Sequence, residues 1–99
     1  MSNLKIAVQM DPYELLDKQA DSTFALIEAA IKKSYKVHIY TVDDLTLEKN
    51  DLKVFCKEVK DIDINKIDFI KLSEKKRISL KSFDVILIRQ DPPFNMQYI

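Results

Sequence analysis

LKIAVQM, residues 4–10, sets how the rest of the chain is read. Apolar side chains fall at positions 4, 6, 8 and 10 with Ala7 between them, which predicts a strand with one well-buried face and a partly covered second face. A proline-marked loop, DPYELLDKQA, follows, with room for one helical turn. In DSTFALIEAAIKKSYK, Phe24, Ile27 and Ile31 recur at helical spacing, Asp21 suits the N-cap, and Lys32 and Lys33 sit where the helix dipole favours cations. The spacing predicts a helix over 22–34. KVHIYTV, β-branched and aromatic, predicts a second strand over 36–42 after a tight connection. Residues 4–42 therefore read as a right-handed βαβ unit with parallel strands, and the chain as an α/β domain.

Beyond the unit, LTLEKNDLKVFCKEVKDI reads as an exposed hairpin turning at Lys49, Asn50 and Asp51, its second strand alternating through Leu52, Val54 and Cys56. DFIKLSEKKRISL predicts a short strand and a polar turn, and SLKSF one helical turn leading into DVILIR. The continuous apolar run of that last segment predicts a strand buried on both faces, hence central in a mainly parallel sheet that carries the hairpin as an insertion.

Composition narrows the function classes. Sixteen basic and sixteen acidic residues cancel, so no net field attracts nucleic acid or anionic lipid. No apolar run approaches a membrane span, and the first ten residues lack the pattern of a signal peptide. The single Cys56 and the single His38 supply neither an internal disulfide nor a metal cluster, as expected for a reducing cytoplasm. Cys56 is expected to pack as a small hydrophobe and His38 to occupy an ordinary polar strand position. The absence of glycine rules out a phosphate-cradling P-loop or a dinucleotide fingerprint within the chain.

Two loops follow the carboxyl ends of the most apolar strands: MDP after the first and RQDPPF after the last. Ligands of open α/β sheets bind beyond such ends, so Asp11, Arg89 and Asp91 are candidates for one crevice. The guanidinium of Arg89 is a planar fork suited to a carboxylate or phosphate, and the consecutive prolines hold the following turn rigid. The competing reading is a structural ion pair of Arg89 with Asp91 or Asp11. Ser22 and Thr23 open the helix, where free N–H groups receive an anion or a cap.

MDP after the first strand, DSTFALIEAA, VHIYTVDDL and DVILIRQDPPF, in this order and spacing, resemble the bacterial glutathione synthetase family, with R-x-DPPF the most specific element. The resemblance implies a Rossmann-like domain that precedes an ATP-grasp module. The parent enzyme would be an ATP-dependent carbon–nitrogen ligase that joins γ-glutamylcysteine to glycine through an acyl phosphate, using ATP and Mg2+ or Mn2+. On this reading residues 1–99 are the substrate-side N-terminal domain. The glycine-rich lid, nucleotide-binding lysines and magnesium carboxylates lie beyond Ile99, and no cofactor, metal or catalytic residue is expected within the chain. Arg89 would bind substrate carboxylate, with Asp11, Ser22 and Asp91 shaping the same wall. The parent is expected to be a cytoplasmic homo-oligomer, and the chain alone inactive. The alternative class is an independent Rossmann-like binding or interaction module without catalysis; a receiver-type or flavodoxin-like domain lacks its acidic cluster or phosphate loop here.

Overall fold

A computed structural model describes residues 4–16 and 22–89. Within them the chain runs β1 (Lys5–Gln9), α1 (Ser22–Lys32), β2 (Lys36–Tyr40), β3 (Leu45–Glu48), β4 (Asp51–Ile62), β5 (Ile70–Leu72), β6 (Lys76–Ser79) and β7 (Val85–Ile88). Single 3-10 turns stand at Tyr13–Leu15, Val42–Asp44 and Leu80–Ser82. The expected βαβ unit is present: β1 pairs parallel with β2, Ile6 beside Val37 and Val8 beside Ile39. On its other edge β1 pairs parallel with β7, Ile6 beside Val85.

Helix α1 forms because Thr23, Phe24 and Ile27 lie on one stripe and bury it against the sheet. Beneath it Ile6, Val8, Met10, Val37, Ile39, Val59 and Ile62 make the larger core. The helix stops at Lys32 rather than at residue 34, because Ser34 turns left-handed at φ 67°. The amide of Tyr35 then donates to the Ala30 carbonyl at 3.1 Å and that of Ser34 to the Ile31 carbonyl at 2.9 Å, a Schellman ending without glycine. Asp21 lies outside the described residues.

The sheet is mixed rather than mainly parallel. β4 pairs antiparallel with β2, β3, β5 and β6, leaving only the β1–β2 and β1–β7 ladders parallel. The physical reason is the length of β4. Twelve residues give it two full edges: β2 and then β3 run along one, β5 and β6 along the other. The expected exposed hairpin is thus half right. Lys49 and Asn50 make its turn with φ of 49° and 66°, and its tip exposes Leu47, but Val54, Cys56, Val59 and Ile62 of β4 are buried.

Two further expectations are corrected. β7 is not central among the described strands: it pairs only with β1, and Ile86 and Ile88 are exposed. His38 is not an ordinary polar strand position. It is buried in the second face of the sheet, edge-on to Phe83 at 5.3 Å, and its Nδ1 has no hydrogen-bond partner among the described residues. Cys56 packs as a small hydrophobe in the smaller core there, with Ala7, Tyr40, Val54 and Phe83.

Candidate functional site

The carboxyl ends of β1, β2 and β7 point the same way because the three strands are parallel. Arg89 follows β7 directly. Its amide donates to the Gln9 carbonyl at 2.8 Å, extending the ladder by one bond and fixing where the side chain leaves the sheet. The guanidinium then crosses to the start of α1, where Nη2 donates to Ser22 Oγ and Nε lies 3.5 Å from Thr23 Oγ1. Thr23 is buried, so this wall is anchored, while Arg89 itself is exposed.

The arrangement concentrates positive potential. A guanidinium beside a helix N-terminus adds its charge to the positive end of the helix dipole, and both favour an anion at that spot. Arg89 has five N–H donors, and those that meet no partner among the described residues suit a carboxylate or phosphate in fork geometry.

Asp11 follows β1 after Met10. It lines a cavity of about 210 Å³ beyond the ends of β1 and β2, together with Tyr13, Tyr40, Thr41 and residues of β4. The structure therefore brings Ser22 and Arg89 together and places Asp11 beside the cavity; Asp91 and the two prolines after it lie outside the described residues. The cavity wall is braced by a capping box in which Asp44 Oδ2 accepts from the Thr41 amide at 2.8 Å and from Thr41 Oγ1 at 3.2 Å. Asp44 Oδ1 meets Lys75 Nζ at 3.3 Å. Tyr40 donates its hydroxyl to Gln9 Oε1 at 3.2 Å, and burial, with a smaller contribution from nearby Cys56, pushes that phenol above its ordinary pKa.

Sequence reading passed over Thr41 and Asp44 although T-x-x-D is a visible cap signature, and it passed over Tyr40, Lys57 and Lys75 because their meeting depends on long-range pairing. Cys56 is no nucleophile: burial pushes its thiol up to about 11, far from the thiolate that reactive cysteines need. Among the described residues no three His, Cys, Asp or Glu side chains stand close enough to hold a metal ion, and the chain has no glycine for a phosphate loop.

A family model described as prokaryotic glutathione synthetase, N-terminal domain, matches residues 4–99. The glutathione synthetase of Rhodopseudomonas palustris is 41% identical over 96 residues, covering 97% of this chain and 30% of the relative. That of Mesorhizobium japonicum is 42% identical over 97 residues, with 97% and 30% covered. That of Buchnera aphidicola subsp. Schizaphis graminum is 37% identical over 97 residues, with 98% and 30% covered. The chain thus spans about 30% of the length of the curated relatives it matches. It belongs to the prokaryotic glutathione synthetase family, matching that family's N-terminal domain.

Proposed function

We propose that this chain is the peptide-substrate side of a glutathione synthetase, the enzyme that joins γ-glutamylcysteine to glycine. The observation that carries the reading, within a chain of this family, is Arg89 held by Ser22 at the N-terminus of α1, where charge and dipole both favour a carboxylate. The parallel β2–β1–β7 ladder crossed by α1 supports a Rossmann-like description of that half of the domain.

In this reading ATP and Mg2+ or Mn2+ would be held by the ATP-grasp module, outside this chain, and would supply the activation of the cysteinyl carboxyl that the amine of glycine needs. The residues of this chain orient the dipeptide and add no acid, base or nucleophile to the ligation. Arg89 binds a dipeptide carboxylate, Ser22 and Thr23 fix the guanidinium, and Asp11 and Asp91 shape the neighbouring loops. The chain alone is inactive, and the whole enzyme works as a cytoplasmic homo-oligomer. The relatives named above favour this reading over an independent interaction module.

Arg89→Ala in the full-length enzyme tests it. A charge-assisted fork to carboxylate contributes roughly 1.5–3 kcal/mol, so the KM for γ-glutamylcysteine is expected to rise about tenfold or more, with the KM for ATP unchanged. An unchanged dipeptide KM removes Arg89 from the substrate site.

A further inference from the structure

We infer that the cavity between the β1–α1 loop and the middle of β4 binds an α-amino-acid head group, with Lys57 taking its carboxylate and the acidic loop at Asp11 and Glu14 its ammonium. On the reading proposed above, this is the glutamyl end of the dipeptide.

The cavity lies where the two edges of β4 are interrupted at adjacent levels, residues 55–56 on one edge and 57–58 on the other. On one edge β2 ends at Tyr40 and β3 begins only at Leu45, after the 3-10 turn; on the other, β5 ends at Leu72 and β6 begins at Lys76. Phe55 and Lys57 of β4 line it together with the loop carrying Asp11 and Glu14. The space, about 210 Å³, is large enough for an amino-acid head group.

Its charges are divided between those already satisfied and those that are not. Asp44 is saturated by Thr41 and Lys75. Lys57, half-buried on β4 opposite Ile39, has no ion-pair or hydrogen-bond partner among the described residues. A partly desolvated ammonium facing a concave space gains most from an anion delivered into it. Glu14 likewise has no partner among the described residues and stands exposed on the loop that lines the same cavity. A pure anion would meet two carboxylates beside its cation, and a pure cation would meet Lys57. A zwitterion satisfies both signs at once. γ-Glutamylcysteine carries two carboxylates, so Lys57 and Arg89 need not compete for one.

The test is an amide NMR titration of this chain with γ-glutamylcysteine, with L-glutamate, and with glutarate, which lacks the ammonium. The first two are expected to shift the amides of Asp11, Thr41 and Lys57, and glutarate to bind about tenfold more weakly. Lys57→Met should weaken L-glutamate binding about tenfold while Lys57→Arg keeps it. Glu14→Gln, at an exposed position with no hydrogen-bond or ion-pair partner among the described residues, should weaken it too, and serves if the Met variant loses its dispersed spectrum. Absence of shifts at the cavity, glutarate binding as well as glutamate, or binding indifferent to the Lys57 and Glu14 substitutions overturns the inference. Failure of the two readings is separable. A full-length enzyme that ligates the dipeptide with an unchanged KM after Lys57→Met keeps the function and removes the cavity. Glutamate binding here by a protein whose full-length form makes no glutathione keeps the cavity and removes the function.

Discussion

The two halves of the sheet are held together in different ways. In the parallel half, β1 lies between β2 and β7, and α1 covers one face, so cohesion comes from a core in which Phe24 and Val37 are fully buried. In the antiparallel half, β4 alone contacts β2, β3, β5 and β6, and cohesion comes largely from its two backbone edges. Val54 and Cys56 of β4 enter the smaller core and Val59 and Ile62 the larger one, while outer side chains meet in ion pairs such as Arg77–Glu48 and Lys75–Asp44, which contribute little in water. The chemistry follows the same division. Parallel strands deliver Arg89 and Asp11 to one end of the sheet, and the long antiparallel strand supplies Lys57 to the cavity.

If the comparison is right, the largest single loss of stability lies under α1. Phe24 is fully buried and stands edge-on to Phe69 at 5.0 Å, joining the helix to the segment before β5. Phe24→Ala is expected to cost roughly 3–5 kcal/mol in urea unfolding, since it removes a buried ring and leaves a cavity. A loss below about 1 kcal/mol would mean that the backbone edges of β4, not the helix-covered core, hold the domain.

This division also explains what was legible in the sequence. β1, α1 and β2 show themselves through local periodicity, and the order MDP, helix, strand places Ser22 at the helix start. The position of β4 does not, because alternation in residues 52–59 states that one face is buried and nothing about which strands take its two edges. β7 misled for a related reason. Four apolar residues in a row signal a strand covered on both faces, yet among the described residues β7 pairs only with β1 and the face that carries Ile86 and Ile88 stays exposed. The meeting of Arg89 with Ser22 spans 67 residues and depends on the β1–β7 pairing, which no local pattern encodes. Likewise the cavity at Lys57 lies where two strand breaks on opposite edges fall at adjacent levels.

The seam between the halves offers a smaller, pH-dependent effect. His38 of β2 stands opposite Glu58 of β4 in the only ladder that joins the two regions among the described residues. Burial lowers its pKa below the usual 6.5; Glu58 pulls the other way, and Lys5, Lys76 and Lys36 add to the lowering. With the folded pKa depressed, the unfolded chain takes up the proton first as pH falls. The contribution of neutral His38 is therefore complete above about 6.5 and is lost as pH drops through the folded value. Between about pH 7 and pH 5 the wild-type urea midpoint should fall more than that of His38→Gln. Equal falls would place the acid sensitivity elsewhere and detach the seam from this histidine.

The smallest effect concerns the absence of glycine, which leaves each half with strained backbone of its own. Ser34 ends α1 at φ 67°, and the hairpin of the antiparallel half turns through Lys49 at 49° and Asn50 at 66°. A left-handed residue with a Cβ costs about 1–2 kcal/mol, and glycine removes that cost while losing roughly 0.5–1 kcal/mol of chain entropy. Ser34→Gly should therefore stabilise by about 0.5–1 kcal/mol, whereas Asn50→Gly should gain only a few tenths, because asparagine tolerates this region better than serine. Thermal unfolding of the two variants ranks them. Should Asn50→Gly give the larger gain, the hairpin turn would carry more strain than the helix ending, and the antiparallel half would be held against a greater local cost than its regular pairing suggests.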